Sequence, residues 1–233
     1  SQVTVIAAKV ERILSALTDV IGAPKHDVSG DPVSEVVRTI LSQNTTSANS
    51  SKAYEALRMA FPTWSDIRDA DRELLVDTIR RAGLAGTKAA TIQRVLSALP
   101  TPAGQPSLDV LNDMDDDDAT AHLVAFNGVG VKTAACVLVF ALGRDICPVD
   151  THVHRVANRL GLVKTKDRDK TYSVLKAVIP AGRSYDAHVL LVRFGRMTCK
   201  ARSPLCHACP AFDDCAFEER HDHAARAVGQ AAT

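Results

Sequence analysis

The segment from Val131 to Leu142 restricts the fold more than any other part of the sequence. It carries one charged residue, Lys132, and is otherwise apolar on every face of a helix. A helix without a polar face has to be surrounded by other elements of the protein. The chain can supply them, since 46% of its 233 residues are hydrophobic and only 4% are aromatic, with alanine, valine and leucine dominant. This composition suits close-packed helices, and we expect an all-α fold.

The rest of the chain also has the apolar spacing of helices, interrupted by glycine and proline. No apolar run reaches the roughly 18 residues that a membrane-spanning helix needs, and the start does not resemble a signal peptide. We therefore expect a soluble, cytoplasmic protein. A Pro/Gly linker is expected at residues 101–106, and the tail from Asp222 is expected to be disordered. The further helices are predicted at residues 3–21, 33–41, 53–61, 71–81, 88–99, 118–126 (with Asp118 as its N-cap), 151–160, 168–179 and 185–196.

Charge is distributed unevenly, although the formal net charge is only +1. Residues 144–202 carry 13 lysines or arginines against 5 aspartates. Clustered basic residues in a near-neutral chain are typical of a surface that binds a polyanion such as nucleic acid. Ordinary solvated helix faces would give the same composition, so charge alone leaves both interpretations open.

Four cysteines near the C-terminus, Cys199, Cys206, Cys209 and Cys215, have the spacing C-x6-C-x2-C-x5-C. Four thiolates within 17 residues can converge on one metal centre. Structural zinc sites usually use two short C-x2-C knuckles, and only one is present here, which disfavours zinc. Structural zinc and free thiols remain the alternatives.

Residues 127–130 (Asn-Gly-Val-Gly) join two predicted helices by a short turn. Glycine permits positive φ angles there, and the free N–H groups of the following helix can hold a phosphate. Lys132 lies in the first turn of that helix, on the unfavourable side of the helix dipole. Burial at this position should lower its pKa toward the neutral amine that a Schiff-base nucleophile needs. A purely structural corner and a phosphate-contacting lysine are the alternatives.

Asp150 can be brought next to Lys132 by the length of the intervening chain. The helix from Val131 to Leu142 rises about 18 Å. Residues 143–149 can span up to roughly 23 Å, so the chain can return to the start of the helix. Asp150 is also expected to be the N-cap of the helix that begins at Thr151. The cap role is compatible with that of an ionised carboxylate in electrostatic catalysis.

Three motifs together resemble those of one family of DNA repair enzymes. They are residues 126–134 (Phe-Asn-Gly-Val-Gly-Val-Lys-Thr-Ala), residues 149–152 (Val-Asp-Thr-His) and the four cysteines. In this order and spacing they resemble the endonuclease III family of helix-hairpin-helix DNA glycosylases, over about residues 33–215. The resemblance implies a two-domain, all-α fold with a [4Fe–4S] cluster on the four cysteines. Its domains would be a six-helix barrel at 30–145, with the helix-hairpin-helix motif at about 119–142, and a cluster domain at 1–29 and 146–221, followed by the tail at 222–233.

The resemblance also implies a bifunctional DNA glycosylase and abasic-site lyase, acting as a monomer on double-stranded DNA that contains damaged bases or abasic sites. Lys132 would attack the sugar of a flipped nucleotide, with Asp150 assisting, and β-elimination would then cut the strand. The usual substrates are oxidised pyrimidines such as thymine glycol. Gln43 would wedge into the gap that the flipped base leaves, and Leu84 would intercalate opposite it. The other candidate DNA contacts are Gly128, Val129, Gly130, Thr133, His152 and Arg155, with Arg193, Arg196, Lys200 and Arg202 in the basic segment near the cysteines.

The sequence departs from the family at positions expected around the damaged base. Thr46 and Val124 stand where the family often has acids, and Val131 stands where a polar residue often precedes the lysine. These departures leave the lyase residues in place and make the choice of base uncertain. The alternatives are a glycosylase of shifted lesion specificity, a catalytically weak or silent DNA-binding paralogue, and a zinc-stabilised helical DNA-binding protein. A monofunctional mismatch glycosylase is disfavoured, because those relatives lack the lysine.

Overall fold

A computed structural model describes residues 1–232 of the chain. These residues form helices and connecting loops, and no strand occurs among them. The prediction of an all-α fold is therefore confirmed. The helices are α1 (Gln2–Ile21), α2 (Pro32–Ser42), α3 (Ser47–Ala60), α4 (Trp64–Asp69), α5 (Arg72–Ile79), α6 (Ala85–Ala98), α7 (Asp116–Val124), α8 (Val131–Leu142), α9 (Thr151–Leu160), α10 (Arg168–Val178), α11 (Ser184–Met197) and α12 (Arg220–Ala231), with short 3-10 turns at Arg80–Ala82, Asp109–Asp113 and Cys206–Ala208.

The chain forms two compact units. One unit is Val28–Arg144, and the other combines Ser1–Asp27 with the chain from Asp145 onward. The boundaries lie within two residues of those expected for a barrel at 30–145. The second unit is therefore built from both ends of the chain, and α1 belongs to it.

Helix α8 lies at the centre of the unit Val28–Arg144. Eight of its residues are buried, and Leu138 and Val139 are completely inaccessible. It packs against α2 and α7, while α2 also packs against α3 and α6. The prediction that the segment from Val131 to Leu142 forms a buried helix is confirmed. Gly143, in the left-handed conformation (φ 67°), ends it.

The other unit has its own core. Helix α11 packs against α9 and α1, and α1 also packs against α10. Leu17, Val156 and Phe194 are among the buried side chains that meet there. The amphipathic α1 thus completes a core that is otherwise formed by the C-terminal part of the chain.

Helix α6 begins at Ala85 rather than at residue 88, with no side-chain cap. Helices α3 and α7 also begin earlier than their apolar spacing predicts, because polar residues cap them outside the apolar stripe. Asp115, not Asp118, is the N-cap of α7, and its Oδ1 accepts a hydrogen bond from the Asp118 N–H at 2.8 Å. Helix α3 begins at Ser47 rather than at residue 53, with Thr46 as its N-cap. The short helix α4 was not predicted, and a capping box at its first turn accounts for it.

The prediction of a disordered tail from Asp222 is wrong for the described residues. Helix α12 spans Arg220–Ala231 in an alanine-rich sequence with high intrinsic helix propensity. Its first turn also packs on aromatic rings, with His221 edge-on to Phe212 at a centroid distance of 5.3 Å. Thr233, which the prediction also covered, lies outside the described residues.

Candidate active site and cysteine centre

The turn between α7 and α8 requires glycine at one position. Gly128 has a φ of 101°, and a Cβ added to it would lie 2.6 Å from Thr91 Cγ2. The Val129 N–H donates a hydrogen bond to the Phe126 carbonyl at 3.0 Å, while the Val129 side chain is buried. The turn therefore requires glycine at residue 128, because the backbone there is left-handed and lies too close to Thr91 for a side chain. Of the predicted DNA contacts in this turn, Val129 can offer only its backbone.

We expect Gly128→Ala to destabilise the protein by roughly 2–4 kcal/mol, because the new methyl group combines a left-handed φ with a steric overlap. Gly130→Ala is the matched control, since Gly130 has a φ of −96° and its added Cβ would meet nothing within 4 Å. Urea unfolding measures both variants. Adding Thr91→Ser, which removes the methyl group in the way, should restore part of the loss. Equal destabilisation by the two glycine substitutions would contradict this explanation.

The N-terminus of α8 has no side-chain cap. Gly130 is its N-cap residue and offers no side chain, so the first N–H groups of the helix are open to an external acceptor. Lys132 lies in this first turn and is half-buried. Its amine has no hydrogen-bond or ion-pair partner within residues 1–232. Thr133, another predicted DNA contact, is buried. The arrangement presents a cation and free N–H groups together, as an anionic ligand requires.

Asp150 is the N-cap of α9, as predicted. Its Oδ1 accepts a hydrogen bond from the Val153 N–H at 2.8 Å, and the residue is half-buried. The cap uses one carboxylate oxygen and holds the side chain in one orientation. Asp150 and Lys132 belong to different compact units, and their pairing remains a prediction.

His152 and Arg155 lie in α9 beside a close helix crossing. A Cβ added to Gly195 of α11 would lie 3.1 Å from His152 Cβ. The Arg155 guanidinium donates to the Gly195 carbonyl at 2.8 Å and to the Cys199 carbonyl at 3.0 Å. Burial, reinforced by Arg155 and Arg196, holds the pKa of His152 below its ordinary value. These contacts give Arg155 an internal role in fixing the start of the cysteine segment, and its contact with DNA stays a prediction.

The two predicted wedge residues are exposed and lie in strained loops. Gln43 follows the end of α2 and is exposed, and the next residue, Asn44, has a left-handed φ of 52°. Leu84 is 60% exposed and also left-handed, with a φ of 48°. A leucine is rarely found in this conformation, which the surrounding structure has to enforce. Both side chains are thus available to a ligand.

Part of the basic segment stabilises the fold itself. Arg144 donates to the Leu111 and Met114 carbonyls at 3.0 and 2.8 Å. Arg159 donates to the Lys200 carbonyl at 2.7 Å. These cations do not contribute to a free basic surface, although the sequence count included them. Four predicted DNA-positioning residues remain exposed: Arg193, Arg196, Lys200 and Arg202.

All four predicted cysteine ligands line one cavity, together with Arg159, Phe212, Phe217 and Arg220. The Phe217 N–H donates to Cys215 Sγ at 3.4 Å, and the Arg159 guanidinium donates to Cys199 Sγ at 3.6 Å. Burial raises the pKa of Cys209 to about 11, so without a metal its thiol is neutral at ordinary pH. The four cysteines therefore face the same cavity.

The polar groups around this cavity fit an anionic metal–thiolate centre. The Arg220 Nε is buried and has no hydrogen-bond partner among the described residues. The Arg220 guanidinium also lies over the Phe212 ring, 5.3 Å from its centroid. Two arginines beside four sulfurs supply the donors that thiolate ligands accept. Within residues 1–232, no three His, Cys, Asp or Glu side chains are placed to hold a single metal ion.

Two buried polar residues of α6 were not singled out from the sequence, and of these only Lys88 reaches the bases of the Gln43 and Leu84 loops. The Lys88 Nζ donates to the Leu41 and Ala82 carbonyls at 2.8 and 2.7 Å. The Gln93 Nε2 donates to the Ile67 and Ala70 carbonyls at 3.1 and 2.9 Å. In the sequence, both residues interrupt the apolar face of the helix, and this was the only sign that their side chains have a specific role.

The chain matches known proteins over most of its length. Residues 37–181 match the family described as HhH-GPD superfamily base excision DNA repair protein. Endonuclease III of Thermotoga maritima is 34% identical over 197 residues, covering 84% of this chain and 88% of that protein. Endonuclease III of Sulfolobus acidocaldarius is 33% identical, covering 78% and 80%. A candidate DNA glycosylase of Arabidopsis thaliana is 40% identical over 163 residues, which are 70% of this chain but only 56% of the relative.

Solved structures agree with these relatives. A trapped covalent intermediate of endonuclease III with DNA covers 93% of this chain and 98% of its own, with a TM-score of 0.76 at 28% identity. A non-covalent endonuclease III–DNA complex gives 0.78 at 28% identity. The chain therefore belongs to the HhH-GPD superfamily of base excision DNA repair proteins. Within that superfamily it is an endonuclease III-like DNA glycosylase.

The helices were also compared with the requirements for spanning a membrane. Among residues 1–232, no helix combines the length and the apolar character that crossing a bilayer requires.

Proposed function

We propose that this chain is a bifunctional DNA glycosylase and abasic-site lyase with Lys132 as its nucleophile. The observation that carries the proposal is the Lys132 amine, which has no partner among the described residues and lies at an uncapped helix N-terminus. An amine held among free N–H groups can receive a sugar whose flanking phosphates those groups bind. The structurally similar trapped endonuclease III–DNA intermediate is itself a covalent complex with DNA.

In the proposed reaction, Lys132 Nζ attacks C1′ of the flipped nucleotide, and the bond from C1′ to the base breaks as the base takes up a proton. Opening of the sugar ring then leaves a protonated imine between C1′ and Nζ. Removal of a proton from C2′ breaks the bond from C3′ to its oxygen, which cuts the strand on the 3′ side. Water hydrolyses the imine and restores the amine. The Asp150 carboxylate would stabilise the positive charge on the sugar.

The proposed substrate is double-stranded DNA with an oxidised pyrimidine, such as thymine glycol, or an abasic site, bound by a monomer. The departures at Thr46 and Val124 support a narrowed or shifted choice of base. The Thr46 hydroxyl already accepts a hydrogen bond from the Asn49 N–H at 3.1 Å as the cap of α3. Val124 is 38% exposed and offers no polar group to a base. The exposed wedge residues Gln43 and Leu84 would replace the stacking that the flipped base leaves.

We also propose that Val28–Arg144 is the barrel domain and that the other unit holds a [4Fe–4S] cluster on Cys199, Cys206, Cys209 and Cys215. When bound, the cluster would crosslink the cysteine segment and so shape its basic surface. The Arg159 donor to Cys199 Sγ and the buried Arg220 Nε support this assignment, because thiolates on iron accept such hydrogen bonds.

We expect the purified protein to contain iron and to absorb visible light, and Cys206→Ser to lose both. Losing one of four ligands opens the centre to solvent and oxidation. Cys136→Ala is the control, since Cys136 is buried in α8 of the other unit and should leave the iron content unchanged. Iron analysis and visible absorption measure the outcome. Zinc without iron in the unmutated protein would contradict the cluster assignment.

One experiment tests the proposed function directly. An imine between the protein and DNA is reduced by borohydride to a permanent bond. Incubating the protein with an abasic-site duplex and borohydride should therefore yield a covalent adduct that migrates more slowly than the free protein. The absence of an adduct in the unmutated, iron-loaded protein would leave the alternative of a silent DNA-binding paralogue.

A further inference from the structure

The ammonium group of Lys88 is buried in a way that the proposed chemistry does not explain. The residue is 2% exposed and lies in the first turn of α6. Within residues 1–232 it forms no salt bridge, and it donates hydrogen bonds to the Leu41 and Ala82 carbonyls. A buried cation is costly unless its donors are satisfied, and here two backbone carbonyls satisfy them. Burial also lowers the pKa of Lys88.

The two carbonyls lie at the ends of two different elements. Leu41 is in the last turn of α2, and Ala82 is the last residue of the 3-10 turn Arg80–Ala82. Carbonyls at such ends have no partner inside the helix, and a cation there also interacts favourably with the helix dipole. Lys88 therefore supplies the hydrogen-bond donor that both carbonyls lack inside their helices. It joins two segments that are 47 and 6 residues away from it in the sequence.

Each of these carbonyls immediately precedes a strained, exposed loop. After Leu41 the chain passes through Ser42 and the exposed Gln43 to Asn44, with its left-handed φ of 52°. After Ala82 it passes through Gly83 (φ 71°) to Leu84 (φ 48°), which is 60% exposed. Non-glycine residues hold left-handed conformations only where their surroundings enforce them. Lys88 therefore contacts the residue at the start of each loop, Leu41 and Ala82.

We propose that Lys88 is a positioning residue that fastens the Gln43 loop and the Leu84 loop into one preorganised element that enters DNA. The proposal rests on the proposed function, in which these two side chains fill the gap left by the flipped base. Preorganisation matters because a loop that must order on binding loses affinity in doing so. Lys88 itself touches no DNA, and its effect is transmitted through the two loops.

The matched control is Gln93, on the same helix. It is also buried and also donates to two carbonyls at the end of α4, those of Ile67 and of the C-cap residue Ala70. Lys88→Met removes two buried hydrogen bonds from α6, whereas Gln93→Met removes two donated bonds and the one that Gln93 Oε1 accepts from Arg72 Nε at 2.6 Å. Gln93→Met should therefore lower stability in urea unfolding at least as much as Lys88→Met. Only Lys88→Met should affect the two exposed loops.

The first measurement is amide hydrogen exchange in the free, iron-loaded protein. We expect Lys88→Met to accelerate exchange in residues 42–46 and 83–87 together, and Gln93→Met to accelerate it around residues 67–72 instead. Unchanged exchange in either loop of Lys88→Met, or equal acceleration in Gln93→Met, overturns the proposal. If Lys88→Met fails to fold, Lys88→Gln, whose amide can still donate to one carbonyl, takes its place in the same comparison.

The second measurement is the ratio of affinities for a duplex with a tetrahydrofuran abasic analogue and for an undamaged duplex. We expect Lys88→Met to lower this ratio about tenfold, because the loops must now order on binding, while binding to undamaged DNA through phosphates is unchanged. Gln93→Met should keep the ratio, and Lys88→Arg should restore part of it. A ratio within about twofold of the unmutated protein in Lys88→Met overturns the role in DNA entry. If the unmutated protein shows no preference, the proposed function fails, while the exchange data still decide whether Lys88 fastens the loops.

Discussion

Replacing Lys132 with alanine should abolish the borohydride-trapped adduct and lower strand cleavage at abasic sites by on the order of 10³-fold or more. The amine is the atom that forms the imine, and no other group in the first turn of α8 can replace it. The effect should be chemical rather than structural. Lys132 is half-buried and has no partner within residues 1–232, so its removal breaks no hydrogen bond or ion pair. Thermal unfolding should change little.

A suitable control is another lysine in the first turn of a helix. Lys170 has this position in α10, is exposed and lies in the other compact unit. Lys170→Ala should give the same amount of adduct as the unmutated protein. The alternative, in which Lys132 only contacts a phosphate, gives a different result. In that case Lys132→Ala would still form an adduct, and its main effect would be a decrease of about 1 in the salt-dependence slope of DNA binding.

The second large effect is expected at Asp150, where two substitutions separate its structural and chemical roles. Asp150→Asn should lower glycosylase and lyase rates by about 10²–10³-fold, because a neutral amide cannot stabilise positive charge on the sugar. It should preserve stability, since asparagine caps helices about as well as aspartate and can still accept from the Val153 N–H. Single-turnover rates on a thymine glycol duplex and urea unfolding measure the two effects.

Asp150→Ala removes both roles. It should lose activity to a similar extent and also lower stability by about 1 kcal/mol, the usual cost of losing an N-cap. The cap of α10 provides the comparison, because Asp167 accepts from the Lys170 N–H at 2.8 Å in the same way. Asp167→Ala should cost stability and leave the rate unchanged. Full activity in Asp150→Asn would reduce Asp150 to a helix cap.

Much of the fold could be predicted where a local rule decides the structure. Helices α8 and α9 have the predicted ends, Leu142 and Leu160, because Gly143 and Gly161 end them in the left-handed conformation. Asp150 was recognised as a cap because the rule depends only on its immediate neighbours. The start of α7 was misplaced because several aspartates in a row satisfy the same rule, and only the hydrogen bond from Asp118 selects Asp115.

Features that depend on distant neighbours could not be predicted from the sequence. The Arg155 donors reach the carbonyls of Gly195 and Cys199, about 40 residues away, while its contact with DNA stays a prediction. The tail was expected to be disordered from its polar composition, and it forms a helix whose first turn meets Phe212. Composition cannot anticipate such contacts, because it does not specify which residues come together.

For the site, the sequence by itself determined which chemical groups are available: one lysine in an otherwise apolar helix, a capping aspartate, and four cysteines with one spacing. These depend on the order of residues along the chain. The tertiary structure decided which groups are free to act and which are consumed by the fold. Lys132 is left without a partner among the described residues, while Lys88 and Arg155 are occupied by carbonyls. A buried donor must find an acceptor, and only the packing of distant segments determines where that acceptor lies.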